Sequence, residues 1–202
     1  MGMKYKDKSY TVEERVDDLI GRMTLEEKIG QMMQISFISV STEEAEEWIT
    51  RRCAGSFLHA LGDDAKRLQE IAMNTRLGIP LLFGIDAVRG HALHNGATIF
   101  PTQLGMACTW NPELVKKAGR VTAKEVAADG LHWTFSPILC LGRDLRWGRI
   151  NETFGEDPHL TGVLAASIIQ GYQGDSLSDP DSILACAKHY IAYGEGTGGR
   201  DA

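Results

Sequence analysis

The stretch Ile183-Leu184-Ala185-Cys186-Ala187-Lys188-His189-Tyr190 runs on into Ile191-Ala192-Tyr193-Gly194-Glu195-Gly196-Thr197-Gly198-Gly199-Arg200-Asp201. It decides how the rest of the chain is read. An apolar run ends in two adjacent polar side chains, Lys188 and His189, and then turns glycine-rich. A buried parallel strand has this form: its apolar part is held by the core, and its polar tip stands at the carboxyl rim, where a ligand can reach it. Two earlier runs end the same way. Leu81 to Ile85 carries Asp86 at its tip. Leu131 to Leu139, interrupted by Ser136-Pro137, leads into the charged loop Arg143-Asp144-Leu145-Arg146-Trp147-Gly148-Arg149-Ile150-Asn151-Glu152. Gly55 to His59 is a further short strand candidate.

Helical patterns separate these runs. Thr11-Val12-Glu13-Glu14, Thr24-Leu25-Glu26-Glu27 and Ser41-Thr42-Glu43-Glu44 each read as a capping box opening a helix. Val12, Val16, Leu19, Ile20 and Met23 recur at helical spacing in the first. Asp64 to Arg76 predicts a helix with Leu68, Ile71 and Ala72 inward, stopped by Gly78 and Pro80. A long loop is expected from His91 to Thr109. Asn111-Pro112-Glu113 then starts a helix with Leu114, Val115, Ala118, Val121 and Val126 on its apolar face. Asp157-Pro158 starts another, with Leu160, Val163, Leu164 and Ile168 inward. Strands alternating with helices across crossover-length connections give an α/β fold of parallel βα units.

About four strands are legible, whereas a closed (β/α)8 barrel needs eight and typically about 250 residues. The last run is followed by a loop ending at Ala202, with no helix to cover it. The expectation is therefore the amino-terminal part of a (β/α)8 TIM-like barrel. Residues 1–202 would form an incomplete domain whose later strands and following domain are supplied by a longer parent chain. The rival is a small open α/β sheet with a disordered tail.

Composition excludes several classes. The net charge of −6 argues against nucleic-acid binding, which is usually basic. No apolar run approaches the roughly 20 residues that cross a bilayer. The start, Met1-Gly2-Met3-Lys4-Tyr5-Lys6-Asp7-Lys8, has no apolar signal-peptide core. It indicates a cytoplasmic protein if that terminus is native, and a periplasmic or secreted one if a leader has been removed. Cys53, Cys108, Cys140 and Cys186 are isolated and read as buried free thiols.

The strand tips bring together Asp86, the Arg143–Glu152 loop and the Lys188-His189 pair. A carboxylate accepts from adjacent hydroxyls while guanidinium and ammonium groups donate to them, so the set suits a ligand dense in hydroxyls. Each has a plainer reading. Asp86 could pair with Arg89. Arg143, Asp144, Arg146 and Arg149 could form an ion-pair web around Trp147. Lys188 is the hardest to explain as packing, because lysine is almost never buried without a partner. Gly194-x-Gly196-x-x-Gly199 fits a dinucleotide fingerprint, but it lacks the helix and the later acid that the fingerprint requires. His91 and His94 have no third ligand nearby in sequence, so no metal is expected.

Several blocks match a known family in order: Arg22-Met23-Thr24-Leu25-Glu26-Glu27-Lys28-Ile29-Gly30-Gln31, Gly84-Ile85-Asp86-Ala87-Val88-Arg89-Gly90, Ala97-Thr98-Ile99-Phe100-Pro101, Arg143-Asp144-Leu145-Arg146-Trp147-Gly148-Arg149, Glu152-Thr153-Phe154-Gly155-Glu156-Asp157-Pro158 and Ala187-Lys188-His189-Tyr190. Together they closely resemble the amino-terminal barrel domain of glycoside hydrolase family 3, the β-glucosidase and β-xylosidase group. The resemblance implies a retaining exo-hydrolase that needs no cofactor and removes a non-reducing terminal β-linked sugar, commonly glucose, from an oligosaccharide or an aryl or alkyl β-glucoside. It assigns Asp86, Arg149, Lys188 and His189 to the grip on the terminal ring; Arg143 and Glu152 are added as supporting residues from their place in the charged loop, Glu152 as an acid that orients Arg149. It also implies a cis bond between Lys188 and His189.

Retention requires two carboxyl groups about 5 Å apart. The resemblance places the nucleophile in a later barrel strand and the acid/base in a following domain, both beyond Ala202. Residues 1–202 alone are therefore expected to be inactive. Glu152, Glu156 and Asp157 are not expected to substitute, since the last two sit where they cap a helix. The stretch Ala192 to Arg200 looks like the glucosidase/xylosidase branch and not the N-acetylglucosaminide branch. Two other readings remain open at the level of residues: a non-catalytic carbohydrate-binding half-barrel and a nucleotide-binding α/β domain.

Overall fold

The computed structural model describes residues 2–200; Met1, Asp201 and Ala202 lie outside it, and with them the first and last positions used above to judge the termini. The chain forms two compact units, one running to Leu82 and the other starting at Phe83.

In the first unit, helices α1 (Val12–Arg22), α2 (Leu25–Gln31) and α3 (Thr42–Thr50) each begin at the expected capping box. Thr11, Thr24 and Ser41 accept from the third helical N–H, and the glutamate there reaches back to the cap N–H, which satisfies donors a helix start otherwise leaves bare. Strand β1 (Gln34–Ser36), which the sequence reading missed, pairs in parallel with β2 (Ser56–Leu58), Ile35 lying opposite Phe57. Helix α4 spans Gly62–Met73, starting and stopping earlier than expected, with Leu68 and Ala72 buried. The apolar stripe of α1 is a real periodicity without a core behind it, since Val12, Val16 and Ile20 are 44–67% exposed.

The second unit holds β3 (Leu82–Ile85) from its second residue on, the short α5 (Gln103–Ala107), α6 (Pro112–Ala128), β4 (Trp133–Thr134), α7 (Pro158–Gln173) and β5 (Leu184–Ala185). Strands β3, β4 and β5 lie side by side and parallel, Gly84 opposite Trp133 and Trp133 opposite Leu184. Asn111 and Asp157 cap α6 and α7 with proline in the first turn, as their sequences specify. The apolar faces are narrower than the periodicity suggested. Val115, Ala118 and Val126 are buried, whereas Leu114, Val121 and Val163 are partly exposed. The expected long loop contains α5, whose few residues and lone capping threonine, Thr102, leave almost no periodic signal.

Helices α6 and α7 approach closely because both are glycine at the contact. A Cβ on Gly171 would stand 2.3 Å from the Lys116 carbonyl, and one on Gly119 would stand 2.7 Å from that of Ile168. Tyr172, next along α7, is fully buried. Its hydroxyl meets Ser136 Oγ at 2.9 Å, and its carbonyl accepts from the Ile183 N–H. The helix thereby fixes the stretch after β4 and the entry to β5.

Candidate functional site

Main-chain hydrogen bonds set the level of each strand tip. Ile85 C=O accepts from Phe135 N–H at 2.9 Å, so Asp86 emerges beside the chain leaving β4. That chain continues past its two ladder residues through a cis Ser136-Pro137 bond. Cys186 N–H donates to Ser136 C=O and Lys188 N–H to Pro137 C=O, both at 3.0 Å, and Leu139 N–H donates to Lys188 C=O. Gln103 of α5 clamps the same segment. Its fully buried amide donates to Ile138 C=O at 3.0 Å and accepts from Ile138 N–H at 3.1 Å. The expected long strand is thus an extended segment held by a side-chain amide, with only its first part in the ladder. The Lys188-His189 bond is cis, as expected, and so is Tyr190-Ile191.

This framework gathers the predicted residues. Lys188 Nζ donates to Asp86 Oδ1 at 2.9 Å across 102 residues of sequence. Asp86 therefore meets lysine, not the Arg89 of the plainer reading. The lysine is mostly buried and the carboxylate partly open, so this pair is less screened than a surface pair. Arg149 holds Glu152 in a fork, Nε to Oε1 at 2.8 Å and Nη2 to Oε2 at 2.6 Å. Glu152, and secondarily the Tyr193 hydroxyl, keep that guanidinium firmly charged. His189 Nδ1 lies 3.4 Å from Cys140 Sγ. Burial first, then the Arg149 and Lys188 cations, lower the His189 pKa and favour the neutral imidazole.

The other loop charges are structural or peripheral. Arg146 grips Asp144 through Nε and Nη2 and pulls its pKa down to about 2. Arg143 stands on the rim, 3.6 Å from Glu195, with both side chains more than half exposed. Trp147 is buried with Ile138 and Cys140, so part of the loop does serve packing. Asp157 Oδ1 accepts from Leu160 N–H, as its capping position requires.

Behind the Lys188-His189 pair lies a cavity of about 490 Å³, lined in part by Leu139, Cys140, Lys188, His189, Tyr193 and Glu195. That lies in the usual range of small-ligand pockets, roughly 300–1,000 Å³. Gly194, Gly196 and Gly199 form tight turns, not the opening of a helix. A Cβ on Gly199 would fall 2.5 Å from the Trp147 nitrogen, so glycine there allows the loop to press on its neighbour.

Three expectations need correction. His91 and His94 do have a third group beside them: Asp129 Oδ2 lies 2.9 Å from His91 Nε2 and 3.1 Å from His94 Nδ1. The fold brings Asp129 in from the end of α6, which sequence spacing could not show. The ligand-type atoms of the three side chains all lie within 4.8 Å of one another, with His91 1% exposed and its Nδ1 without a hydrogen-bond partner. Second, only Cys140 of the four free thiols is buried; Cys53 and Cys186 are half-buried, and Cys108 is exposed at the end of α5. Third, the residues missed in the sequence include Tyr193, Cys140 and Gln103. Tyr193 lies in the loop where only the glycine pattern had drawn attention, and the other two sit in apolar or loop stretches without a motif of their own.

Residues 24–201 match the model of the glycosyl hydrolase family 3 N-terminal domain. The chain is 39% identical over 189 residues to a periplasmic β-glucosidase of Salmonella typhimurium, covering 92% of this chain and 24% of that protein. It is 31% identical to a periplasmic β-glucosidase/β-xylosidase of Dickeya chrysanthemi, covering 98% of this chain and 34% of the relative. Among solved structures, a β-glucosidase involved in saponin metabolism from intestinal bacteria superposes with a TM-score of 0.82 at 50% identity, over 93% of this chain and 25% of its own. A β-glucosidase from Listeria innocua in complex with glucose superposes with a TM-score of 0.80 at 38% identity, over 91% and 27%. This chain spans about a quarter to a third of the length of these relatives.

Proposed function

The chain belongs to the glycosyl hydrolase family 3 N-terminal domain family, its fold being the amino-terminal part of that family's (β/α)8 barrel, and on that premise we propose that it is the sugar-gripping part of a retaining, exo-acting β-glycoside hydrolase. The substrate proposed is a non-reducing terminal β-D-glucosyl residue. Neighbours solved with glucose and with laminaribiose support that choice.

The observation that carries the proposal is the Lys188–Asp86 contact in the same unit as the forked Arg149–Glu152 pair and the Cys140-held His189. Asp86 Oδ1 takes the ammonium, and a carboxylate, with two oxygens and several acceptor sites, is the group type that accepts from ring hydroxyls. Lys188 keeps further N–H donors for a neighbouring hydroxyl. Arg149 spends one edge on Glu152 and an Nη1 N–H on the Tyr193 hydroxyl, and its guanidinium has further N–H donors besides. His189, uncharged, adds a directional hydrogen bond without another cation. Such a set binds a pyranose by its hydroxyl pattern, and grip on a terminal ring is the binding energy an exo-hydrolase uses at the reacting carbon.

The same contacts bear on catalysis. Asp86, Asp144 and Glu152 are each already engaged by a neighbouring cationic side chain at hydrogen-bond distance. We therefore propose that the nucleophile and the acid/base are supplied from outside residues 1–202, and that this chain binds without turning over. The test is titration of residues 1–202 with D-glucose and gluconolactone by calorimetry and NMR, alongside an assay on a nitrophenyl β-glucoside. Saturable binding lost in K188M, with no hydrolysis, is expected. Equal affinity in K188M would remove the grip, and turnover by host-free protein would remove the second proposal.

A further inference from the structure

We propose that Tyr193 is the positioning residue of this site: its side chain fixes Arg149 and His189 relative to each other before any sugar arrives. This rests on the reading of Arg149 and His189 as sugar ligands.

The two residues come from different segments, Arg149 from the loop after β4 and His189 from the segment after β5. Tyr193 touches both. Its ring lies edge-on to the His189 imidazole, with centroids 4.5 Å apart at 63°. The Arg149 guanidinium carbon lies 5.4 Å from the same ring, and Arg149 Nη1 donates to the Tyr193 hydroxyl at 3.4 Å. Trp147 backs the ring from a third direction, 5.3 Å away and nearly perpendicular at 89°. Trp147 is itself buried, so the tyrosine leans on a fixed wall.

The backbone that presents Tyr193 is also pinned. Ala192 before it adopts a left-handed φ of 64°. Gly194 after it is buried, and a Cβ there would lie 2.6 Å from the Leu141 carbonyl. The turn therefore sits directly on the segment leaving β4, and the ring has little room to swing.

The division of labour follows from chemistry. Glu152 holds one edge of the Arg149 fork, and the tyrosine face and hydroxyl hold the guanidinium plane. Cys140 engages His189 at Nδ1, and the tyrosine ring limits rotation of the imidazole about its Cβ–Cγ bond. A ligand then meets donors already in place, so the entropy of ordering them is not charged to binding. Without the ring both side chains regain freedom, and affinity for a monosaccharide is expected to fall about tenfold.

The experiment compares Y193F and Y193L in residues 1–202, using the ¹H–¹⁵N and imidazole C–H resonances of His189, the Arg149 Nε–H resonance and D-glucose titration. Y193F keeps the ring and loses only the hydroxyl. It should leave the His189 resonances in place, move Arg149 Nε–H, and weaken glucose about twofold. Y193L should move both sets of resonances without sugar, shift the His189 titration midpoint, and weaken glucose about tenfold. Unchanged His189 and Arg149 resonances in a folded Y193L overturn the positioning role. Should Y193L not fold, an unmoved Arg149 Nε–H in Y193F overturns it instead. Wild-type protein that binds no sugar refutes the sugar-site reading, while the sugar-free spectra still decide the role of Tyr193.

Discussion

The contact between α6 and α7 gives an expected outcome of opposite sign at two glycines of one helix. In G171A the new methyl would sit 2.3 Å from the Lys116 carbonyl, 2.9 Å from the Arg120 nitrogen and 3.0 Å from Gly119 Cα. The first distance is about 1 Å short of ordinary contact, and the obstacle is backbone, so the helices must separate. Overpacking of this kind costs roughly 1–3 kcal/mol, here at the upper end, offset by about 1 kcal/mol from alanine's better helix propensity. The net loss of about 2 kcal/mol lowers the melting temperature by roughly 4–8 °C for a chain of this size. Gly162 lies in the same helix with nothing within 4 Å of the same construction. G162A therefore gains up to about 1 kcal/mol and melts about 2–4 °C higher. Thermal and urea unfolding followed by circular dichroism measure both. Because Tyr172 ties α7 to Ser136 and Ile183, G171A is also expected to weaken glucose binding. A G171A protein that melts at or above the wild type would refute the close-approach argument.

Other outcomes follow from the site. D86N and K188M should each weaken glucose about tenfold or more, and their double-mutant cycle should show coupling of about 1 kcal/mol, whereas strict additivity would mean the 2.9 Å contact carries no energy in solution. E152Q loosens the Arg149 fork, and a fall in glucose affinity of about fivefold, near 1 kcal/mol, is expected by calorimetry; an unchanged value would show that Arg149 needs no anchor. The lowered pKa of His189 makes stability pH-dependent. The unfolded chain takes up the proton near the ordinary value of 6.5, while the folded chain resists it. Its contribution is thus fully present above about pH 6.5 and is lost as the pH falls through the lowered folded value. The difference in urea midpoint between wild type and H189Q should therefore change across that window, and a flat difference would contradict the assignment.

Element type was legible wherever a local rule governs it. Capping boxes at Thr11, Thr24 and Ser41, and capped prolines after Asn111 and Asp157, write helix starts into a few adjacent residues. Apolar runs tipped by Asp86 and Lys188 mark strand ends in the same way. The motif order was specific enough to point to the family. Short α5 and β1 escaped because neither is long enough to show a period.

The choice of partners was a property of the tertiary structure alone. No spacing rule links Lys188 to Asp86, Asp129 to His91 and His94, or Tyr193 to both Arg149 and His189. Each pairing joins segments that meet only when parallel strands fall into register and helices pack behind them. Local sequence controls backbone conformation through short-range sterics and hydrogen bonding. Hydrogen bonds and ion pairs between distant side chains act over a few ångströms in space, and only the folded chain decides which atoms come that close.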